Sequence, residues 1–233
     1  MPSYTFTPSI LRGAGTRAVP EIPAGSSYSN TYSMAFDAVD DLITVPDNPS
    51  LRVASGNHSL TFWMKNSVGN VRVVMEKGAN DELTALIINN KIYWGGQNGY
   101  YGGSVSVVDG NWLHMAFVAN GSTSEIFING SSVATGGNKI VASANTDDFV
   151  MGGRGGSSYF YGGLLDEVAI FNYALNSSNI TSIYNSGVPN DISSLNPVAW
   201  YRFEEGSGTT ATDSAGSNNG TISGATYSTD VPS

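Results

Sequence analysis

Residues 161–175 read Tyr161-Gly162-Gly163-Leu164-Leu165-Asp166-Glu167-Val168-Ala169-Ile170-Phe171-Asn172-Tyr173-Ala174-Leu175. Glycines open the run, and an apolar stretch from Leu164 to Phe171 follows. A short apolar run bounded by turn residues reads as a buried strand. Two acids interrupt it. Consecutive side chains on a strand face opposite sides. Asp166 and Glu167 are therefore expected on opposite faces of their sheet.

Further strands are expected on both sides of this one. Ser33-Met34-Ala35-Phe36 alternates, and Leu42-Ile43-Thr44-Val45 follows before Pro46 and Pro49 stop the run. Leu60–Lys65, Val71–Glu76, Leu83–Ile88, Lys91–Trp94, Trp112–Ala119, Glu125–Asn129, Phe149–Met151 and Trp200–Phe203 have strand character. Asn89-Asn90 and Asn129-Gly130 suit the positive φ angles of two-residue hairpin turns. Many short strands between turn signals predict an antiparallel β-sandwich. One short helix is expected within 175–187, where Ile180, Ile183 and Tyr184 share a face. Asn176 or Ser177 would cap its start, and Gly187 and Pro189 would end it.

Composition bounds the function. Charged residues make up 12% of the chain, cysteine is absent, and the formal charge is −9. An acidic chain is a poor partner for a nucleic-acid backbone or an anionic membrane surface, and no apolar run reaches membrane-spanning length. Residues 1–30 carry Pro2, Pro8, Pro20 and Pro23 without useful periodicity. They are expected to form an extended arm, a possible anchor. The start, Met1-Pro2-Ser3-Tyr4, lacks the basic and apolar regions of a secretory leader.

Five segments together resemble the laminin-G-like domains of the concanavalin A-like lectin/glucanase superfamily. They are Ser33–Asp41, Leu60–Lys65, Gly110–Ala116, Ile126–Gly130 and Tyr161–Leu175. The resemblance implies a jelly-roll sandwich over residues 31–233. One block is out of order. Trp200-Tyr201-Arg202-Phe203-Glu204-Glu205-Gly206 and the turn Asp213–Gly220 resemble the family's opening strands, yet stand last. Residues 198–227 are therefore expected to supply those strands from the C-terminus. The order of Gly187–Pro197 and this block also resembles virion proteins of bacterial viruses, which agrees with the arm and with the missing leader.

Catalysis is not expected. The glucanases of the superfamily carry paired carboxylates two or more residues apart on a strand, flanking the scissile bond. Asp166-Glu167, Glu204-Glu205 and Asp81-Glu82 are adjacent instead. His58 and His114 have no matched serine and aspartate, and His114 is read as a structural histidine with its hydrogen bonds satisfied. The resemblance implies calcium at one sandwich edge, with Asp37 and Asp166 as ligands, since Ca²⁺ takes hard oxygen donors. The other reading of Asp37, Asp40 and Asp41 is a turn whose carboxylates accept backbone N–H groups.

Two glycine-rich segments, 93–103 and 152–161, present aromatics. Sugars stack their C–H faces on exposed rings, and amides or charged groups fix the hydroxyls. Tyr100, Tyr101, Tyr159, Arg154 and Asn98 are the candidate contacts, for glycan or for protein. Trp94 and Phe160 are expected to pack inward. The functional expectation is a non-catalytic fibre, spike or decoration protein of a virion. It would be homo-oligomeric, assembled in the host cytoplasm, and would meet cell-surface polysaccharide or neighbouring virion proteins. An extracellular bacterial carbohydrate-binding or adhesion module is the alternative, and a glycan hydrolase the third reading.

Overall fold

The computed structural model describes residues 28–52, 56–66, 69–78, 83–96, 99–137, 145–155 and 158–233. Of the expected arm, only Tyr28, Ser29 and Asn30 fall among them. Asn98, Asp81 and Glu82 lie outside.

The strands in chain order begin with β1 (Ser33–Asp37), β2 (Leu42–Val45), β3 (Asn57–Asn66), β4 (Arg72–Lys77), β5 (Leu83–Ile88) and β6 (Lys91–Gly96). Next come β7 (Gly99–Ser106), β8 (Leu113–Asn120), β9 (Thr123–Ile128), β10 (Ser131–Gly137), β11 (Phe149–Met151) and β12 (Gly162–Phe171). Helix α1 (Ser177–Tyr184) precedes β13 (Ala199–Tyr201), β14 (Thr210–Ala211), β15 (Gly220–Ser223) and β16 (Thr226–Ser228). They build two antiparallel sheets. The first runs β10-β9-β8-β3-β12-β1-β16, with β13 also on β12, and the second runs β14-β15-β2-β11-β4-β5-β6-β7.

The sheets stack through the alternation seen in the sequence. Met34, Phe36, Phe62, Met64, Met115 and Phe117 of the first sheet meet Ile43, Val45, Trp94, Phe149 and Met151 of the second in one buried core. Trp94 stacks on Phe117 with centroids 4.7 Å apart. Each such side chain contributes roughly 1.5–3 kcal/mol by burial. The outer face of the first sheet is covered too. Ala116, Val118, Phe127, Ala169 and Phe171 meet Ile180 and Ile183 of α1, with Ile192 and Trp200. Asn176 and Asn179 cap α1 reciprocally, and Asn185 ends it in the left-handed region at φ 44°.

The hairpin turns behave as their residues dictate. Asn89 and Asn90 (φ 49° and 67°) join β5 to β6, and Asn129 and Gly130 (φ 49° and 75°) join β9 to β10. Residues 199–228 contribute strands to both sheets. β13 and β16 pair with β12 and β1, and β15 pairs with β2. Strands β7, β10 and the two-residue β14 were not among those expected. The glycine-rich 99–106 forms the edge strand β7, and the serine- and glycine-rich 131–137 forms β10. At sheet edges, weak strand formers are held by one neighbour's hydrogen bonds rather than by side-chain packing.

Candidate functional site

One row of residues crosses the outer face of the second sheet. The strand registers place Thr221, Thr44, Val150, Glu76, Thr84, Gly95 and Tyr100 side by side. Their chain neighbours Ile43, Met75, Ala85 and Trp94 point into the core, so the row faces outward. Gly95 is required here. A Cβ on it would stand 2.1 Å from the Gly99 carbonyl oxygen.

Residues 154, 155, 158 and 159, between β11 and β12, lie against this row. Arg154 N–H donates to the Ser158 carbonyl at 2.9 Å, and Val73 N–H to the Tyr159 carbonyl at 2.8 Å. The Arg154 guanidinium then reaches three groups. It donates to the Tyr100 hydroxyl at 3.2 Å and faces a Glu76 oxygen at 3.4 Å. It also stands 5.6 Å from the centre of the Tyr159 ring. The other Glu76 oxygen accepts the Gly155 N–H at 2.6 Å. Glu76 is 2% exposed. Burial pushes its carboxyl pKa up, and the Gly155 N–H and the Arg154 charge oppose that rise. Tyr159 is 45% exposed. Beside them opens a cavity of about 330 Å³ lined by Thr44, Glu76, Gly78, Asp147, Asp148, Val150 and Gly155.

The structure thus brings together Tyr100, Arg154 and Tyr159 of the sequence candidates. Tyr101 is turned away. It is half-buried against the core, and its ring lies under Gly136 of β10. Trp94 is fully buried, while Phe160 is only half-buried. Glu76 was not among the candidates. A buried acid closing an otherwise apolar strand was the available signal.

Asp37 and Asp166 are not brought together. Asp37 lies opposite Gly162 on β12, and Asp166 stands four residues further along, roughly 13 Å of strand. One calcium ion holds its oxygens at 2.3–2.6 Å, so these two cannot share it. Asp37, Asp40 and Asp41 do cluster, with one carboxylate oxygen of each within 4.8 Å of the others. Asp37 accepts the Val39 N–H at 2.7 Å and Asp41 accepts the Asp37 N–H at 2.8 Å. Those bonds use one oxygen of Asp37 and one of Asp41. Carboxylate oxygens are the hard donors that a calcium ion takes.

Asp166 and Glu167 do not face opposite sides, contrary to the simple alternation. A β-bulge between Asp166 and Ala169 adds a residue, and Glu167 takes φ 52°. Both carboxylates are consequently buried at the outer face of the first sheet. Asn30 donates to Asp166 at 2.9 Å, Trp200 Nε1 donates to Glu167 at 2.6 Å, and the Tyr28 hydroxyl also donates to Glu167. Glu204 accepts the N–H groups of Thr31 and Tyr32 at 2.8 and 2.9 Å. These acids hold residues 28–32 against the sheet. Burial, aided by their mutual charge for Asp166, drives both pKa values up, Glu167 to about 7.

His114 is structural but its hydrogen bonds are not satisfied. Its ring lies 5.2 Å from Trp63 and 6.1 Å from Tyr184, and neither nitrogen has a partner among the described residues. Burial lowers its pKa to about 3, and that of His58 to about 4. Both are neutral near pH 7.

The fold has solved counterparts at low identity. A proposed carbohydrate-binding protein from Bacteroides ovatus ATCC 8483 is 16% identical, with a TM-score of 0.70 over 88% of this chain and 62% of its own. The chain therefore spans about three fifths of that protein. Domain 4 of AbnA, a GH43 extracellular arabinanase from Geobacillus stearothermophilus solved with arabinotriose, is 21% identical, with a TM-score of 0.53 over 65% of this chain and 76% of its own. The binding domain of botulinum neurotoxin serotype D is 17% identical, with a TM-score of 0.53 over 68% of this chain and 44% of its own. No curated protein sequence matches the chain. Residues 37–181 match the laminin-G-like family model described as the concanavalin A-like lectin/glucanases superfamily, and the chain belongs to that family.

Proposed function

We propose that the chain is a non-catalytic glycan-binding module whose site is the outer face of the second sheet around Glu76, Tyr100, Arg154 and Tyr159. The observation that carries this is the Glu76–Arg154 pair. It fixes the loop that presents the exposed Tyr159 ring, beside a cavity with the carboxylates of Asp147 and Asp148 on its wall. A sugar ring has an apolar face for Tyr159 and hydroxyl donors for those carboxylates. Small pockets with a few fixed polar groups are the usual form of such sites. The proposed carbohydrate-binding protein from Bacteroides ovatus and the arabinanase domain solved with arabinotriose, both of this fold, support the reading.

The proposed setting is a homo-oligomeric virion appendage facing cell-surface polysaccharide, supported by the order of the C-terminal block. Calcium belongs to the proposal at Asp37, Asp40 and Asp41, and not at Asp166. The test is a glycan array probed with the chain, repeated with Tyr159→Ala and Arg154→Ala. Retention of a glycan that both variants lose supports the site. Release of reducing sugar from a bound polysaccharide overturns the non-catalytic reading.

A further inference from the structure

A second cavity lies on the other sheet, beside the end of α1. It measures about 280 Å³ and is lined by Trp63, Asn111, Trp112, Asn129, Tyr184 and Gly187, with Ser233 at its rim. That volume stands near the lower end of the range for small-molecule pockets, ~300 Å³. We propose that this cavity is a second ligand site, independent of the one at Tyr159, which takes a single uncharged sugar residue.

The site is built from four parts of the chain. Trp63 of β3 forms the floor and is 3% exposed. The Tyr184 ring, at the end of α1, stacks on it at 5.9 Å and 28°. Trp112 precedes β8, and Asn129 sits in the β9–β10 turn. A reciprocal pair of bonds fixes Asn129, whose N–H donates to the His114 carbonyl at 2.9 Å and whose Oδ1 accepts the His114 N–H at 2.9 Å. Trp112 is fixed by its indole N–H, donated to Asp230 at 2.9 Å.

The lining chemistry selects the ligand. Rings of Trp112 and Tyr184 offer apolar faces. The Tyr184 hydroxyl, the Asn129 Nδ2 and the Asn111 side-chain amide make no hydrogen bond to described residues, so they are available to sugar hydroxyls. No charged side chain lines the cavity among the described residues. The adjacent ions are spent on each other, Lys65 on Asp230 at 2.7 Å. An anionic sugar would find no cation here, in a chain of net charge −9. Behind this aromatic lining the fully buried His114 ring packs 5.2 Å from Trp63 and 6.1 Å from Tyr184 and backs the stack.

The experiment uses the full chain labelled with ¹⁵N and the methyl glycosides of glucose, galactose, mannose and N-acetylglucosamine, with sialic acid as the anionic control. Trp112 is one of four tryptophans, so its indole signal is assigned with Trp112→Phe. The expected result is a saturable shift of the Trp112 indole and Asn129 amide signals with at least one neutral glycoside and none with sialic acid. Tyr159→Ala should leave that shift intact. Tyr184→Phe, which keeps the ring stack and removes only the hydroxyl, should weaken it about tenfold. The Arg154 Nε signal reports the first site separately. No shift at Trp112 with any of the four glycosides overturns the proposal. So does a shift lost with Tyr159→Ala, or an affinity unchanged by Tyr184→Phe.

Discussion

Asp166 and Glu167 are consecutive in the chain, yet both carboxylates are buried at the same face of the first sheet. The bulge that achieves this puts Glu167 at φ 52°, a conformation that costs on the order of 1–3 kcal/mol for a non-glycine residue. Offsetting that cost are the Tyr28, Asn30 and Trp200 hydrogen bonds. The pair joins the N-terminal segment, β12 and the C-terminal block.

This pair makes stability depend on pH. The Glu167 carboxyl is raised from 4.5 to about 7, so the folded chain holds a proton that the unfolded chain releases between those values. Its contribution is fully present below about pH 4.5 and is lost as the pH rises through about 7. The groups facing it are Asp166, Glu204, Arg202 and Tyr28. Chemical denaturation should show stability falling by an amount on the order of 2 kcal/mol across that window. In Glu167→Gln the slope should flatten. A wild-type stability that rises from pH 5 to pH 7.5 contradicts the assignment.

Removing one partner at the candidate site should cost fold and binding together. Glu76→Ala leaves the Gly155 N–H and the Arg154 guanidinium without their acceptor. A loss of about 2–3 kcal/mol is expected in urea unfolding, with loss of glycan retention. Tyr159→Ala, at an exposed ring, should change stability by less than about 0.5 kcal/mol.

Trp94 should be the most expensive aromatic to remove. It is fully buried against Phe117, and Trp94→Ala should destabilise by roughly 3–5 kcal/mol. A loss of unfolding free energy below about 1 kcal/mol would show that the two sheets do not depend on this contact.

Calcium titration separates the two aspartate readings. Calorimetry should give heat with the wild type and with Asp166→Asn, and none with Asp41→Asn. Heat abolished by Asp166→Asn would return the ion to that residue. No wild-type heat would leave the Asp37 turn to its backbone hydrogen bonds alone.

The sheets and the helix were legible because alternation and capping are local. Phe62 and Met64, or Asn176 before Ile180, announce their faces within a few residues. The bulge was not legible, because nothing in Leu-Asp-Glu-Val distinguishes a regular strand from one with an inserted residue. Its signal lies across the sheet, in Trp63 and Tyr201. Tyr100 and Tyr101 looked equivalent in sequence, and only the register with Gly95 and Trp94 separates them. Glu76 escaped notice because its partner, Arg154, is 78 residues away. The aromatic cavity at Trp112 was hidden for the same reason, being assembled from a strand, the segment before β8, a turn and a helix end.

The most direct test of the central claim is calorimetric titration of the wild-type chain and Tyr159→Ala with the glycan that the array identifies. Saturable binding is predicted for the wild type, with a loss of tenfold or more, about 1.4 kcal/mol, in the variant at unchanged thermal stability. Equal affinity of the two proteins would contradict the placement of the site at Glu76, Arg154 and Tyr159.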